Sequence, residues 1–147
     1  MSYYLTTTEL TTRMGSTLVG GLTGLSGGAL TTELGIIIDR QEAVIHGYIG
    51  GRYTTPLTSA TGLLLAEEWT FKLCQYDIHM RGAGDDVQTK VRLDYEDTMK
   101  MLRDIQGGDM AIPGETAPSS STDTTAGITI DSNDVVFDWG GDANDTF

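Results

Sequence analysis

The stretch VQTKVRLDYEDTMKMLRDIQGG, residues 87–108, decides the fold class. Val87, Val91, Tyr95, Met99, Leu102 and Ile105 recur at intervals of three or four, which keeps apolar side chains on one face of an α-helix. The other side alternates charge: Lys90/Asp94, Arg92/Glu96, Glu96/Lys100 and Lys100/Asp104 are all i, i+4 pairs. Each such pair contributes only about 0.2–0.5 kcal/mol, so burial of the apolar stripe has to hold the helix. Asp85-x-x-Gln88 is spaced for a capping box at its start, and Gly107-Gly108 ends it.

Upstream, the same period returns twice. Leu65, Trp69, Leu73 and Tyr76 mark a helix over about residues 62–80, ended by Gly82-Ala83-Gly84. Leu34, Ile38, Gln41, Ile45 and Tyr48 mark another from Thr31 or Thr32 to Ile49, with Glu33 in its first turn and Gly50-Gly51 as its stop. Between these two, RYTTPLTSATG (52–62) reads as an extended loop in which Pro56 keeps Thr55 out of the helical region. A short first helix opens with Thr6-Thr7-Thr8-Glu9, another capping box, and carries Leu10 and Met14 up to Gly15. The following GSTLVGGLTGLSGG (15–28) has six glycines in fourteen residues and reads as a long mobile loop. Its Leu18, Leu22 and Leu25 are expected to rest on a neighbouring surface, as axial contacts to another subunit. The expected fold is mainly α: a small four-helix bundle, one helix short and three longer, with a Gly-rich loop.

From Pro113 the texture changes. GETAPSSSTDTTAG reads as a linker, and GITI and VVFDW follow as two β-prone runs around Asp131-Ser132-Asn133-Asp134. A lone hairpin is marginal in water, so this extended tail is expected to borrow a partner's surface. Residues 1–112 are therefore read as a helical domain and 113–147 as an acidic linker and extended or hairpin tail.

The charge follows the same division. All nine basic residues lie between Arg13 and Arg103, against fourteen acids in residues 1–112, a net −5. Residues 113–147 carry seven acids and no base. No basic cluster of the kind that binds phosphate backbones is present, whereas an acidic tail suits a basic partner. With one cysteine, Cys74, no internal disulfide can form, and its apolar helical setting reads as packing. No run of about 18 apolar residues marks a membrane span, and MSYYLTTTEL lacks the basic and apolar regions of a signal peptide. The expectation is a soluble intracellular chain without membrane contact.

Each candidate for chemistry lacks a required residue. Glu42 and His46 share a helix face, and Glu67, Glu68 and His79 lie on the next helix. A di-metal bundle wants Glu three residues before His, and positions 43 and 76 are Ala and Tyr. The bland reading of these residues is solvated faces and ordinary hydrogen bonds. The Gly-rich stretch has no Gly-Lys-Ser/Thr and no G-x-G-x-x-G. Cys74 and His79 diverge by about 140° around one helix. No catalytic, cofactor or metal residue is assigned, and the chain is expected not to be an enzyme. Arg52-Tyr53 and Pro56-Leu57 carry two readings: a cap on the bundle with Arg52 paired to an acid, or a contact to another subunit.

The order of these features resembles a known family. A helix ending in Tyr48-Ile49, then Arg52-Tyr53, then Pro56-Leu57, precedes a final helix with Tyr95-Glu96-Asp97, Leu102, Ile105 and Gly107. This is similar to the Mu-like phage family of small head–tail joining proteins, over about residues 1–112. The Gly-rich stretch and the tail from Pro113 depart from the family's pattern. The resemblance implies a helical adaptor that forms a ring, usually dodecameric, beneath the portal and joins it to the stopper or tail, with no cofactor. A virion-neck location follows, with Arg52, Tyr53, Pro56, Leu57, Arg92, Glu96 and Lys100 as the subunit interface. DNA would pass the lumen without specific binding, its lining more acidic than basic. Ile128, Ile130, Val135, Val136, Phe137 and Trp139 would dock on the portal, in the manner of strand addition. The alternative is a small acidic binding module that acts as bait or a nucleic-acid mimic for a basic partner.

Overall fold

Five helices follow one another in the computed structural model, which describes residues 2–83 and 87–117. They are α1 (Thr7–Met14), α2 (Ser16–Thr23), α3 (Gly27–Ile49), α4 (Ala60–Ala83) and α5 (Thr89–Gly107). The protein is mainly α, and no strand occurs among the described residues. The β-prone runs GITI and VVFDW, with Ile128, Ile130, Val135, Val136, Phe137 and Trp139, lie outside the described residues.

α1 starts as its sequence requires. The Thr6 hydroxyl accepts from the Glu9 N–H, and the Glu9 carboxylate accepts from the Thr6 N–H at 2.9 Å. Two backbone donors with no partner inside the helix are thereby satisfied.

The Gly-rich stretch corrects the expectation of a long loop. Ser16–Thr23 is helical, and only residues 24–26 link it to α3, which leaves at 85°. Isolated, such a segment would not be a helix, since each interior glycine costs about 1 kcal/mol relative to alanine. Packing outweighs that cost here. Val19 is fully buried, and Leu22 packs against the same apolar cluster. Positive φ at Gly15 (92°) and Gly24 (68°) sets both helix ends in backbone regions that other residues avoid.

Other boundaries shift by a few residues. α3 starts at Gly27 rather than Thr31. α5 starts at Thr89 with Gln88 in the N-cap position, so the box expected from Asp85 to Gln88 would begin the helix three residues too early. Val87 precedes the helix, and Val91 is the first buried residue of its stripe.

The core lies along α3 and α4 in two clusters. The first joins the C-terminal half of α3 (Ile45, Ile49) to the N-terminal half of α4 (Ala66, Trp69, Leu73) and to Leu102 and Ile105 of α5. Tyr4, Tyr53, Leu57 and Ile112 close it. The second joins Leu34, Ile37 and Ile38 of α3 to Cys74 and Ile78 of α4, with Leu5, Leu10 and Val19. Each fully buried aliphatic side chain contributes about 1.5–3 kcal/mol. Between helices, Tyr76 of α4 stacks on Tyr95 of α5 at 4.1 Å. The Arg13 guanidinium lies 3.8 Å over the Phe71 ring and pairs with Glu67 and Glu68, holding α1 on α4.

α2 reaches α4 at Gly82. A Cβ there would come within 2.6–2.8 Å of Leu22, including its backbone Cα and carbonyl oxygen. Gly47 of α3 is the opposite case, with nothing within 4 Å of a Cβ. In urea denaturation Gly82→Ala should therefore destabilise the protein, by about 1–3 kcal/mol as overpacked sites do. Gly47→Ala should stabilise it by about 0.5–1 kcal/mol.

Candidate interface and the corner that supports it

The N-terminal segment is held by one carboxylate. Glu42 on α3 is 2% exposed. Its oxygens accept from the Tyr3 N–H at 2.8 and 2.9 Å, the Tyr4 N–H at 2.7 Å and the Leu5 N–H at 3.4 Å. Three consecutive backbone donors thus converge on a charge that would be very costly to bury alone. Successive side chains of an extended segment point opposite ways, and Tyr4 enters the first core cluster while Leu5 enters the second. The Tyr4 hydroxyl accepts from the Leu57 N–H at 2.9 Å and lies 2.9 Å from His46 Nε2. Burial raises the Tyr4 hydroxyl pKa above its ordinary value.

Glu42 and His46 were candidate chemistry on the sequence, and both are engaged by the N-terminal segment. The solvated-face reading fails for Glu42, because the stripe turns further around α3 than Leu34–Ile38–Ile45 implied and takes in Ile37, Glu42 and Ile49. A carboxylate four residues after Ile38 and three before Ile45 was the available signal. His79 is also buried, and burial lowers its pKa. Burial pushes the Cys74 thiol up, away from the thiolate. Among the described residues, no group of three or more His, Cys, Asp and Glu is placed to hold a metal ion.

Most of the residues that carry the family resemblance meet at one corner, whereas Tyr95, Glu96 and Asp97 lie further up α5, where Tyr95 stacks on Tyr76. Arg52 donates from Nη1 to the Ile105 carbonyl at 3.1 Å, at the C-terminal end of α5 where the helix dipole favours a cation. Its partner is thus a backbone carbonyl rather than an acid. Gly108 has φ 94° and donates to the Asp104 and Ile105 carbonyls, and a Cβ on it would come within 2.7 Å of Arg52. Conformation calls for glycine there, and a Cβ would also displace the guanidinium tip of Arg52. Tyr53 (4% exposed) and Leu57 (2% exposed) belong to the chain's own core, beside Ile49, Leu102 and Ile105. The Tyr53 hydroxyl accepts from the Ile112 N–H at 3.1 Å.

Residues 109–117 fold back over this corner. Glu115 Oε1 accepts from the Thr58 and Ser59 N–H groups, both at 2.7 Å, just before α4 begins. The Ser59 hydroxyl accepts from the Gly62 N–H at 2.9 Å. The Ser59 amide, with that of Thr58, holds the Glu115 carboxyl below its ordinary value of 4.5. Ala117 packs against the first core cluster.

Several surfaces remain outside, among them Leu63 and Leu64 of α4, Ile36 and Val44 of α3, and the free face of α5. Arg92, Glu96 and Lys100 are exposed, and Arg92 lies 3.9 Å from Glu96. Leu93 (50% exposed) and Met101 sit among them, two apolar residues on a two-sign charged face. Pro56 is exposed at the corner. Leu18 and Leu25 are exposed beside α2, whereas Leu22 is partly buried against the second cluster.

Fold and surface define a small helical protein whose buried polar groups fasten its own chain and whose outward chemistry lies on a helix face. The chain matches the family model described as bacteriophage Mu, Gp36 over residues 4–130, and it belongs to that family. It is a protein of Mu-like bacteriophage. Comparison with curated proteins and with solved structures returns no match.

Glu42→Gln should free the N-terminal segment. The amide can keep an oxygen at the Oε1 position, but it loses the charge and its nitrogen meets the Tyr3 N–H donor to donor, and the expected loss is about 1–3 kcal/mol. Hydrogen exchange at the amides of residues 3–5 should rise with it; unchanged protection would contradict the clamp. For Glu115 the folded pKa is the lower one, so its contribution is complete above about pH 4.5 and is lost as pH falls through the folded value. Glu115→Gln should flatten the acid limb of a stability–pH profile below that point. Glu9, held low by Thr6, should keep part of the slope.

Proposed function

We propose that the chain is a structural virion subunit, a head–tail adaptor that forms a ring beneath the portal and links it to the stopper or tail. It acts by assembly rather than catalysis, at the virion neck. The observation that carries this reading is the family membership over residues 4–130, which takes in the described body from Tyr4 onward. The α5 face supports it. Two apolar side chains among charges of both signs suit a heterologous contact, in which charge sets register and buried apolar area supplies adhesion. Arg92, Glu96 and Lys100 are the charges available for that contact, with Arg52 and Pro56 at the adjoining corner. DNA would cross the lumen without specific binding. The C-terminal segment, with Ile128, Ile130, Val135, Val136, Phe137 and Trp139, would dock on the portal.

Two variants test this. Glu96→Lys changes an exposed position, where stability usually moves by less than about 0.5 kcal/mol. It should preserve helicity by circular dichroism yet prevent ring formation on purified portal, seen by electron microscopy. Rings of normal occupancy would sink the proposed face. Because residues 113–117 pack on the body, a truncation that spares it ends at Ala117. Deleting residues 118–147 should abolish portal binding while leaving helicity intact, and binding at unchanged affinity would refute the role given to the tail.

A further inference from the structure

An open groove of about 590 Å³ runs between α3, α4 and α5. Its lining is mixed: Ala43, Val44, Tyr48, Tyr95 and Met99 supply apolar surface beside the amides of Gln41 and Gln106, and small residues lie along α3. Its lining residues carry no charge, but its rim does. Arg40 adjoins Gln41 on the exposed side of α3. Arg92 stands three positions before Tyr95, and Arg103 stands four after Met99 and three before Gln106, spacings that put both on the α5 wall. Among the described residues, neither Arg40 nor Arg103 forms an ion pair, whereas Arg92 has Glu96 at 3.9 Å. Three of the nine basic residues of an acidic chain therefore border this groove, against one acid, Glu96, three positions before Met99.

The chain itself carries a segment of matching chemistry. Residues 127–139 place Ile128, Ile130, Val135, Val136, Phe137 and Trp139 among Asp131, Asp134 and Asp138, with no base. The position where the described chain ends also fits. Ala117 packs against the same core cluster as Tyr48, Tyr95 and Met99 of the groove. Nine residues lie between it and Gly127, and the ten steps they make can span up to about 33–36 Å, which is the length of α3 at about 1.5 Å per residue.

We propose that residues 127–139 seat their apolar side chains in the α3–α4–α5 groove of the same molecule, with their aspartates toward Arg40, Arg92 and Arg103. The segment covers this groove in the isolated subunit and keeps its apolar side chains from other apolar surfaces. A partner that engages the segment would uncover the groove, so docking and exposure of a second contact surface become one event. This occupancy concerns the isolated chain and does not depend on the ring.

The test uses the full-length chain and its two tryptophans. Trp69 is buried in the core, and subtracting the signal of a Trp139→Phe variant isolates Trp139. In the parent chain Trp139 should be several-fold less quenched by acrylamide than a free indole. An Arg40→Glu/Arg103→Glu double variant should lose that protection. So should Gly47→Leu, which fills the groove from a position where a Cβ meets nothing. Both should keep parental helicity, and raised salt should weaken protection in the parent. Free-indole quenching of Trp139 in the parent would overturn the proposal, as would protection that survives both groove variants. Protection that vanishes on dilution would overturn it in favour of a groove filled by a second copy.

Discussion

The Glu42 carboxylate holds together parts of the protein that helix packing alone would leave separate. The two core clusters occupy opposite halves of α3 and α4, and Glu42 sits near the midpoint of α3. A charge at that place is tolerable only because three backbone N–H groups from residues 3–5 turn toward it. Once they do, the alternation of an extended chain sends Tyr4 to one cluster and Leu5 to the other. Tyr4 then orders the 52–59 loop through the Leu57 amide, and Leu5 leads into the capped start of α1. One buried charge thereby sets the path of the N-terminal segment and the position of a loop more than fifty residues away.

The Arg52 corner solves a second problem, the exposed end of a helix. α5 stops at two glycines, and its last carbonyls need donors. Gly108 supplies one from within the chain and Arg52 supplies another from the loop after α3. The strap from Asp109 to Ala117 then returns the favour at the start of α4, where Glu115 accepts the Thr58 and Ser59 amides. The positions that resemble the phage family, Arg52-Tyr53, Pro56-Leu57, Leu102, Ile105 and Gly107, are thus largely those of a joint. A pattern of this kind identifies a family because it specifies how the chain closes. It carries little direct information about what the closed body touches.

Strong helical periodicity was legible. α3, α4 and α5, the capping box of α1 and the burial of Cys74 all follow from spacing and residue type. α2 was not legible, because its glycines argue for a loop and its stability comes from Val19, Leu22 and the bare backbone of Gly82, a contact some sixty residues away in sequence. Glu42 was visible as a carboxylate on an apolar stripe, but its partners are backbone amides, which no residue pattern displays. For the candidate interface, Arg92, Glu96 and Lys100 could be read from charge alternation, and they are exposed. Tyr53 and Leu57 could not be sorted in the same way, since an aromatic and a leucine beside a proline suit a core and a contact equally. Both are buried in the chain's own core.

The distribution of polar chemistry bears on function more than any single residue. Carboxylates that are buried or ordered by amides, Glu42 and Glu115, fasten loops and termini. Those that pair with arginines at the surface, Glu33 with Arg81 and Glu67 and Glu68 with Arg13, hold α3 and α1 against α4. Among the described residues, the ion pairs made by the charges of α5 are with helix neighbours, at 2.8 Å for Lys90–Asp94 and 3.9 Å for Arg92–Glu96. Such i, i+4 pairs are weak and easily exchanged. A partner bearing the opposite pattern can take over either member at small cost, and Leu93 and Met101 then supply the apolar area that charge alone does not. A rigid joint behind a face of exchangeable charges is what a subunit needs if it is to meet a neighbour in a fixed register.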